Sequence, residues 1–139
     1  MKKDRAPTSP SDPFGAATNA PWILVVDDDS VMLDLIEIVL TSEGWPVRLA
    51  TSGAAAFAVV EAAATPPTLL ISDVVMTGVD GLVLTRRLLA RLPGLKAIVI
   101  SALLEDVAWW PEDLRECPFL AKPFKNDELV AAVRKALSG

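Results

Sequence analysis

Short apolar runs alternate with helical patterns along most of this chain. The apolar runs are Trp22–Val26, Val47–Ala50, Thr68–Ser72, Leu95–Ile100 and Phe119–Ala121. Between them, apolar residues recur at helical spacing over Ser30–Glu43, Ala54–Ala64 and Gly81–Leu92, and again from Asn126 onward. This alternation predicts βαβ units, in which parallel strands form one sheet and helices cover its faces.

The first predicted helix indicates which side chains face the core. Its apolar positions follow the i, i+3, i+4, i+7 and i+8 spacing of one helical face, and they are Met32, Leu35, Ile36, Val39 and Leu40. We therefore expect these side chains to be buried against the sheet. The stretch Leu103–Pro118 is less regular, and the pattern predicts a short or broken helix there.

Polar residues follow four of the predicted strands at the point where each strand ends. The first strand stops at Asp27–Asp29, the third at Asp73, the fourth at Ser101 and the fifth at Lys122. In an open parallel α/β sheet the ligand crevice lies just outside the carboxyl ends of the strands. We therefore expect these polar groups to converge on one spot.

The residue types at this spot suit phosphoryl chemistry that depends on magnesium. Asp27 and Asp28 are predicted to bind the metal, since Mg²⁺ prefers one or two carboxylates together with phosphate oxygens. Asp73 is predicted to be a further ligand and a nucleophile toward phosphorus. Lys122 can pair with Asp73 at rest and with a phosphoryl oxygen afterwards, while Ser101 can donate a hydrogen bond to another phosphoryl oxygen.

Composition limits the other functions that this chain can have. Its 139 residues, of which 52% are hydrophobic, are enough for one domain with a sizeable core. The net charge of -5 removes the electrostatic attraction on which non-specific binding to nucleic acid or to an anionic membrane depends. Cys117 is the single cysteine, and neither a membrane span nor a signal peptide is apparent. We therefore expect a cytoplasmic protein that does not bind DNA directly.

Two further features concern the absence of histidine and the start of the chain. Because the sequence contains no histidine, a phosphohistidine intermediate cannot form on this chain. Residues 1–20 are rich in Pro, Ser, Thr, Gly and Ala without helical or strand periodicity, which predicts a disordered tail. The predicted domains are therefore a tail over 1–20 and one folded domain over 21–139.

The motifs at the strand ends resemble those of the receiver domain of two-component response regulators, in the same order and spacing. Val25–Asp28 resembles the acidic pair after the first strand, and Ile71–Met76 resembles the segment around the phospho-acceptor. Ser101-Ala102 resembles the hydroxyl residue with its small neighbour, and Lys122–Phe124 the lysine with its usually cis proline. Asp80-Gly81 is similar to the acidic-glycine pair before the third helix.

The resemblance implies a fold and a set of roles. The fold would be flavodoxin-like: a doubly wound, five-stranded parallel sheet in the order 2-1-3-4-5 with helices on both faces. Asp73 would be the phospho-acceptor, and the backbone carbonyl of Val75 would complete the Mg²⁺ shell made by Asp27, Asp28 and Asp73. Phe119 would be the aromatic residue that changes rotamer on activation together with Ser101.

It also implies partners and a mode of action. The phosphoryl group would come from a phosphohistidine on a histidine kinase or a histidine phosphotransfer protein, and the phosphorylated chain would act on a downstream protein. It would catalyse only its own Mg²⁺-dependent phosphorylation and slow dephosphorylation, as a monomer or as a dimer formed on phosphorylation. The chain would be a stand-alone receiver like the chemotaxis regulator, or one excised from a longer protein.

Two alternatives remain open at this stage. The run Ile23–Val31 also fits the first motif of haloacid-dehalogenase-type phosphohydrolases, in which Asp27 would be the nucleophile and Asp29 an acid/base. That alternative leaves Asp73 without a role. The second alternative is a degenerate receiver that binds a partner without being phosphorylated, although its set of acids, hydroxyl and lysine is intact.

Overall fold

The computed structural model describes residues 21–74, 81–101 and 117–138. The predictions of a disordered tail over 1–20 and of a short or broken helix within Leu103–Pro118 fall on residues outside these ranges, apart from Cys117 and Pro118. Within the described ranges, no helix is long and apolar enough to span a membrane.

The strands form one parallel sheet. They are β1 (Ile23–Val26), β2 (Val47–Ala50), β3 (Leu69–Asp73), β4 (Lys96–Ser101) and β5 (Phe119–Ala121). Their spatial order is β2-β1-β3-β4-β5, and each neighbouring pair is parallel. This order and direction confirm the predicted doubly wound sheet. The strands are apolar on both faces because helices cover both sides of the sheet.

The helices begin and end close to the predicted positions. They are α1 (Ser30–Ser42), α2 (Gly53–Ala62), α3 (Gly81–Arg91) and α4 (Asn126–Ser138). The side chain of Ser52 caps α2 by accepting a hydrogen bond from the Ala55 N–H. Gly44, with a φ of 93°, lies just after the end of α1 in the left-handed conformation that glycine adopts without strain.

Two separate apolar cores lie on opposite faces of the sheet. On one face, α1 and α4 pack against alternate strand residues such as Val25 and Ile71. On the other face, α2 and α3 pack against the intervening residues, including Trp22 and Leu70. This two-sided packing holds the carboxyl ends of the strands in fixed positions, and those ends carry the polar residues singled out above.

The buried face of α1 differs from the predicted one. Leu33, Ile36, Val39 and Leu40 are buried. Leu35, which the spacing placed in the core, is instead 40% exposed. The prediction for Leu35 was therefore wrong. The error arises because α1 carries apolar residues on its outer side as well, so that two overlapping sets of positions fit the same helical spacing.

Candidate functional site

The register of the sheet brings the polar residues to one edge. Val26 pairs with Ser72, which in turn pairs with Val99. Asp27 and Asp73 therefore follow paired positions of β1 and β3. Ser101 pairs with Ala121, so that Ser101 and Lys122 end the neighbouring pair β4 and β5. The sheet thus brings together all four of the strand ends that the sequence predicted to converge.

Three carboxylates form the acidic part of the site. One oxygen from each of Asp27, Asp28 and Asp73 lies within 4.8 Å of the others. Asp27 and Asp73 are buried, whereas Asp28 is exposed to solvent. Oxygen ligands of this hard, anionic type are those that Mg²⁺ binds in proteins, and the exposed carboxylate leaves the group open on the solvent side. These residues therefore fit a magnesium ion.

Lys122 supplies the positive charge between the two buried acids. Its Nζ donates hydrogen bonds to Oδ2 of Asp27 and to Oδ2 of Asp73, at 3.1 Å in each case. Burial is the largest influence on Lys122 and by itself lowers its pKa, but the hydrogen bonds and charges of the two aspartates together raise that pKa above the usual 10.5. The ammonium is therefore charged at neutral pH, and its contribution to stability is lost only as the pH rises through the raised pKa.

The third aspartate of the run, Asp29, has a local structural task. Its Oδ1 accepts hydrogen bonds from the N–H groups of Val31 and Met32, which caps the start of α1. Its own N–H donates to Oδ1 of Asp27 at 2.9 Å. A phosphohydrolase with Asp27 as nucleophile would need Asp29 as its acid/base, and the capping role of this side chain argues against that alternative.

Ser101 and Phe119 lie on the two strands that end beside Lys122. Ser101 is 1% exposed, and its carbonyl oxygen accepts a hydrogen bond from the Lys122 N–H at 3.0 Å. Phe119 is half-buried and packs against the cluster of Val74, Leu82 and Val99. Because Val74 directly follows Asp73, this cluster links the aromatic side chain of β5 to the end of β3.

Gly81 positions the start of α3 against the site, a function that sequence reasoning missed. Its N–H donates to the carbonyl oxygen of Val74 at 2.9 Å. A Cβ atom built on Gly81 would lie 1.7 Å from the carbonyl oxygen of Asp73, which is far inside van der Waals contact. Only glycine fits this approach. The acidic-glycine pair was the available signal, but the sequence could not reveal which backbone Gly81 contacts.

We predict that Gly81→Ala destabilises the protein by about 2 to 3 kcal/mol, because the added methyl must displace the backbone that carries Asp73. Urea unfolding followed by circular dichroism measures this change. The matched control is Gly44→Ala, for which the new Cβ meets nothing within 4 Å but φ is 93°. The control should cost only about 1 kcal/mol, the strain of an alanine in the left-handed region. Equal losses in the two variants would contradict the steric account of Gly81.

One predicted ligand cannot be placed. Val75, whose backbone carbonyl was expected to complete the metal shell, lies outside the described residues, as does Asp80 of the acidic-glycine pair.

The peptide bond between Lys122 and Pro123 is cis, as the resemblance implied.

The sequence model of the response regulator receiver domain matches residues 23–134. Among curated proteins, the chain is 36% identical over 118 residues to the DNA-binding transcriptional regulator NtrC of Escherichia coli K12, covering 84% of this chain and 24% of that protein. It is 33% identical over 137 residues to the sensor kinase CckA of Brucella abortus, covering 97% of this chain and 14% of that protein. The chain thus spans a quarter or less of each of these relatives.

Solved structures resemble both the fold and the sequence. The receiver domain of NtrX from Brucella abortus superposes with a TM-score of 0.74 at 32% identity, covering 84% of this chain and 98% of that domain. The response regulator TrrA from Thermotoga maritima, solved in complex with Mg²⁺-BeF, superposes with a TM-score of 0.68 at 25% identity. That comparison covers 84% of this chain and 99% of the TrrA chain.

Proposed function

Because this chain belongs to the response regulator receiver domain family of two-component systems, we propose that it accepts a phosphoryl group on the carboxylate of Asp73. One observation carries the proposal. The Nζ atom of Lys122 lies 3.1 Å from Asp73 and 3.1 Å from Asp27, within a group of three clustered carboxylates. A nucleophile, a cation and acidic metal ligands are therefore adjacent, as phosphoryl transfer requires.

In the proposed reaction, a carboxylate oxygen of Asp73 attacks the phosphorus of a phosphohistidine. A new O–P bond forms as the N–P bond breaks, and the electron pair of that bond returns to the imidazole nitrogen of the donor. The product on this chain is an acyl phosphate. Lys122 can then move from the neutralised Asp73 oxygen to a phosphoryl oxygen, which keeps its charge paired.

We assign Asp27, Asp28, Asp73 and the backbone carbonyl of Val75 to binding of Mg²⁺. The bound ion would neutralise charge on the phosphoryl oxygens as they approach the carboxylates. Asp27 and Asp73 are held in place by Lys122, and Asp27 also accepts the Asp29 N–H. The complex of TrrA with Mg²⁺-BeF supports this assignment, because that relative binds the same type of ion together with a fluoride complex.

The change of state would spread from Asp73 along β4 and β5. Ser101 would donate its hydroxyl hydrogen to a phosphoryl oxygen and so pull the end of β4 toward the site. Phe119 would change rotamer, since its cluster includes Val74 beside the acceptor. The altered surface would then bind a downstream protein, and this chain would work as a signalling module whose only chemistry is its own phosphorylation and slow dephosphorylation.

The proposed donor is a histidine kinase or a histidine phosphotransfer protein. CckA, one relative, is a sensor kinase, and NtrC, another, is a DNA-binding regulator. Because the chain spans only part of each, their whole activities are not carried over to it. We propose an output through protein contact, as a monomer or as a dimer that forms on phosphorylation, since the net charge of -5 disfavours direct DNA binding.

The test is phosphorylation with a small-molecule donor. Treatment with acetyl phosphate and Mg²⁺ should add one phosphoryl group by intact mass, and peptide mapping after borohydride trapping should locate it at Asp73. Chelation of Mg²⁺ with EDTA should abolish the addition. A protein that stays unmodified under all conditions would establish the degenerate-receiver alternative instead.

A further inference from the structure

A hydroxyl group is buried near the end of β3. Leu69, Leu70 and Ile71 are apolar, whereas the next residue, Ser72, is polar and 0% exposed. Burial of a hydroxyl costs free energy unless the group makes a hydrogen bond, and an alanine would fill nearly the same space without that cost. The hydroxyl of Ser72 therefore needs an explanation beyond the packing of the sheet.

The hydroxyl of Ser72 donates a hydrogen bond to the backbone carbonyl oxygen of Asp73 at 3.1 Å. Side chains alternate between the two faces of a strand, so Ser72 shares the face of Leu70, which α2 and α3 cover. By the same alternation, the side chain of Asp73 is directed to the other face. The hydroxyl therefore contacts the acceptor residue through its backbone and not through its carboxylate.

Neighbouring elements hold the rest of the peptide group that Ser72 contacts. Its N–H belongs to Val74 and donates to the carbonyl oxygen of Ile100 on β4 at 2.9 Å. The next carbonyl oxygen, that of Val74, accepts a hydrogen bond from the Gly81 N–H at 2.9 Å. With the bond from Ser72, both the N–H and the carbonyl of the peptide after Asp73 are held, which restrains the backbone from which the carboxylate projects.

The hydrogen bond from Ser72 is shielded from water. Asp73 is 8% exposed and Gly81 is buried. The backbone of Gly81 approaches the Asp73 carbonyl oxygen so closely that a Cβ atom would lie 1.7 Å from it. Water therefore has little room to replace the hydroxyl, and a buried carbonyl without a donor is costly. Removal of the hydroxyl should be relieved by a movement of the backbone that carries the nucleophile.

We infer that Ser72 is a positioning residue for phosphoryl transfer, because its hydroxyl holds the backbone of Asp73 so that the carboxylate oxygen is aligned with phosphorus. The inference rests on the proposed function. The Lys122 ammonium, at 3.1 Å, holds the carboxylate end of Asp73, and Ser72 holds its main-chain end. Small displacements of a reacting atom slow a reaction strongly, since alignment supplies a large part of the rate enhancement.

The experiment measures phosphorylation by acetyl phosphate in saturating Mg²⁺ over a range of donor concentrations. Ser72→Ala should lower the maximal rate constant by about fivefold, the loss expected when one hydrogen bond no longer aligns the nucleophile. The donor concentration that gives half of the maximal rate should be unchanged, because the Ser72 side chain is directed away from the carboxylate that the donor approaches. Ser72→Thr keeps the hydroxyl and should restore at least about half of the parental rate.

Thr68→Val is the matched control. The Thr68 hydroxyl also donates to a backbone carbonyl, that of Trp22, at 3.2 Å, but it lies just before β3, at the end of the strand away from the site. This variant loses a comparable hydrogen bond and should be phosphorylated at the parental rate. Urea unfolding establishes that each variant is fully folded under the conditions of the assay.

A second measurement tests the hydrogen bond without phosphorylation. In EDTA, the NMR resonance of the Asp73 carbonyl carbon should move upfield in Ser72→Ala, as expected for a carbonyl that loses a hydrogen bond. An unchanged resonance would overturn the inference, as would equal maximal rates in Ser72→Ala and Thr68→Val, or a Ser72→Thr variant as slow as Ser72→Ala. A parent chain that acetyl phosphate does not label at Asp73 would instead contradict the proposed function, and the inference would fall with it.

Discussion

Asp73→Asn is expected to abolish phosphoryl incorporation, with a loss of at least about a thousandfold in rate, because the amide is a poor nucleophile toward phosphorus. The substitution keeps the size of the side chain and its place beside Lys122. Intact-mass analysis after treatment with acetyl phosphate and Mg²⁺ measures the result, and circular dichroism confirms that the variant is folded.

Asp29→Asn is the matched control, since it removes a negative charge close to the site from a residue that is not one of the three clustered carboxylates. Asparagine is as good an N-cap as aspartate, so α1 should be preserved and phosphorylation should continue. If Asp27→Asn abolished a phosphatase turnover while Asp73→Asn retained phosphoryl incorporation, the phosphohydrolase alternative would hold and the proposed acceptor would be wrong.

The fold and the grouping of site residues could be predicted because their signals are local. Each strand is an apolar run that stops at a polar residue, and the carboxyl ends of parallel strands meet at one edge of the sheet. The end of β3 at Asp73 and the end of β5 beside Lys122 are visible in the sequence without any knowledge of the tertiary structure. The strand order came from the resemblance, since apolar runs alone do not specify which strands are neighbours.

The contacts within the site could not be predicted in the same way. The sequence indicated that Lys122 pairs with Asp73, whereas its Nζ also donates to Asp27, 95 residues away in the chain. The approach of Gly81 to the Asp73 carbonyl depends equally on how α3 meets β3. Such contacts are set by the packing of whole elements, and residue types alone do not encode their distances.

The misassigned face of α1 has a different cause. Leu35 and the buried Leu33 are both compatible with helical spacing, and hydrophobicity cannot distinguish a side chain that faces the core from one that faces a partner protein. A prediction made from an amphipathic pattern assumes that every large apolar side chain is buried within its own chain. Here that assumption fails at Leu35, which is 40% exposed on the outer side of α1.

Lys122→Ala is expected to lower the free energy of unfolding by about 3 to 5 kcal/mol in the absence of divalent ions, because it leaves two buried carboxylates without the cation that pairs with them. Asp27 and Asp73 are 1% and 8% exposed, so water screens their repulsion poorly. Urea unfolding in EDTA measures the loss. Lys125→Ala removes an exposed lysine three residues away and should leave stability within about 0.5 kcal/mol of the parent.

Magnesium should reverse most of this loss. An ion that binds the three carboxylates of the folded protein stabilises the variant by mass action. The stabilisation should be larger than in the parent, where the Lys122 ammonium already neutralises part of the negative charge of Asp27 and Asp73. The variant should therefore keep its fold and much of its metal binding in saturating Mg²⁺. A variant that Mg²⁺ stabilises no more than it stabilises the parent would contradict this competition between lysine and metal.

The same variant separates stability from signalling. With Mg²⁺ present, beryllofluoride should shift the NMR resonances of Ser101 and Phe119 in the parent, because Lys122 ties the end of β5 to whatever occupies the phosphoryl position. In Lys122→Ala the shifts should be much smaller, because the variant lacks the ammonium that contacts the site. The backbone hydrogen bond from residue 122 to the Ser101 carbonyl is present in the parent, and an alanine can form it as well. Equal shifts in the two proteins would show that the side-chain charge does not transmit the change.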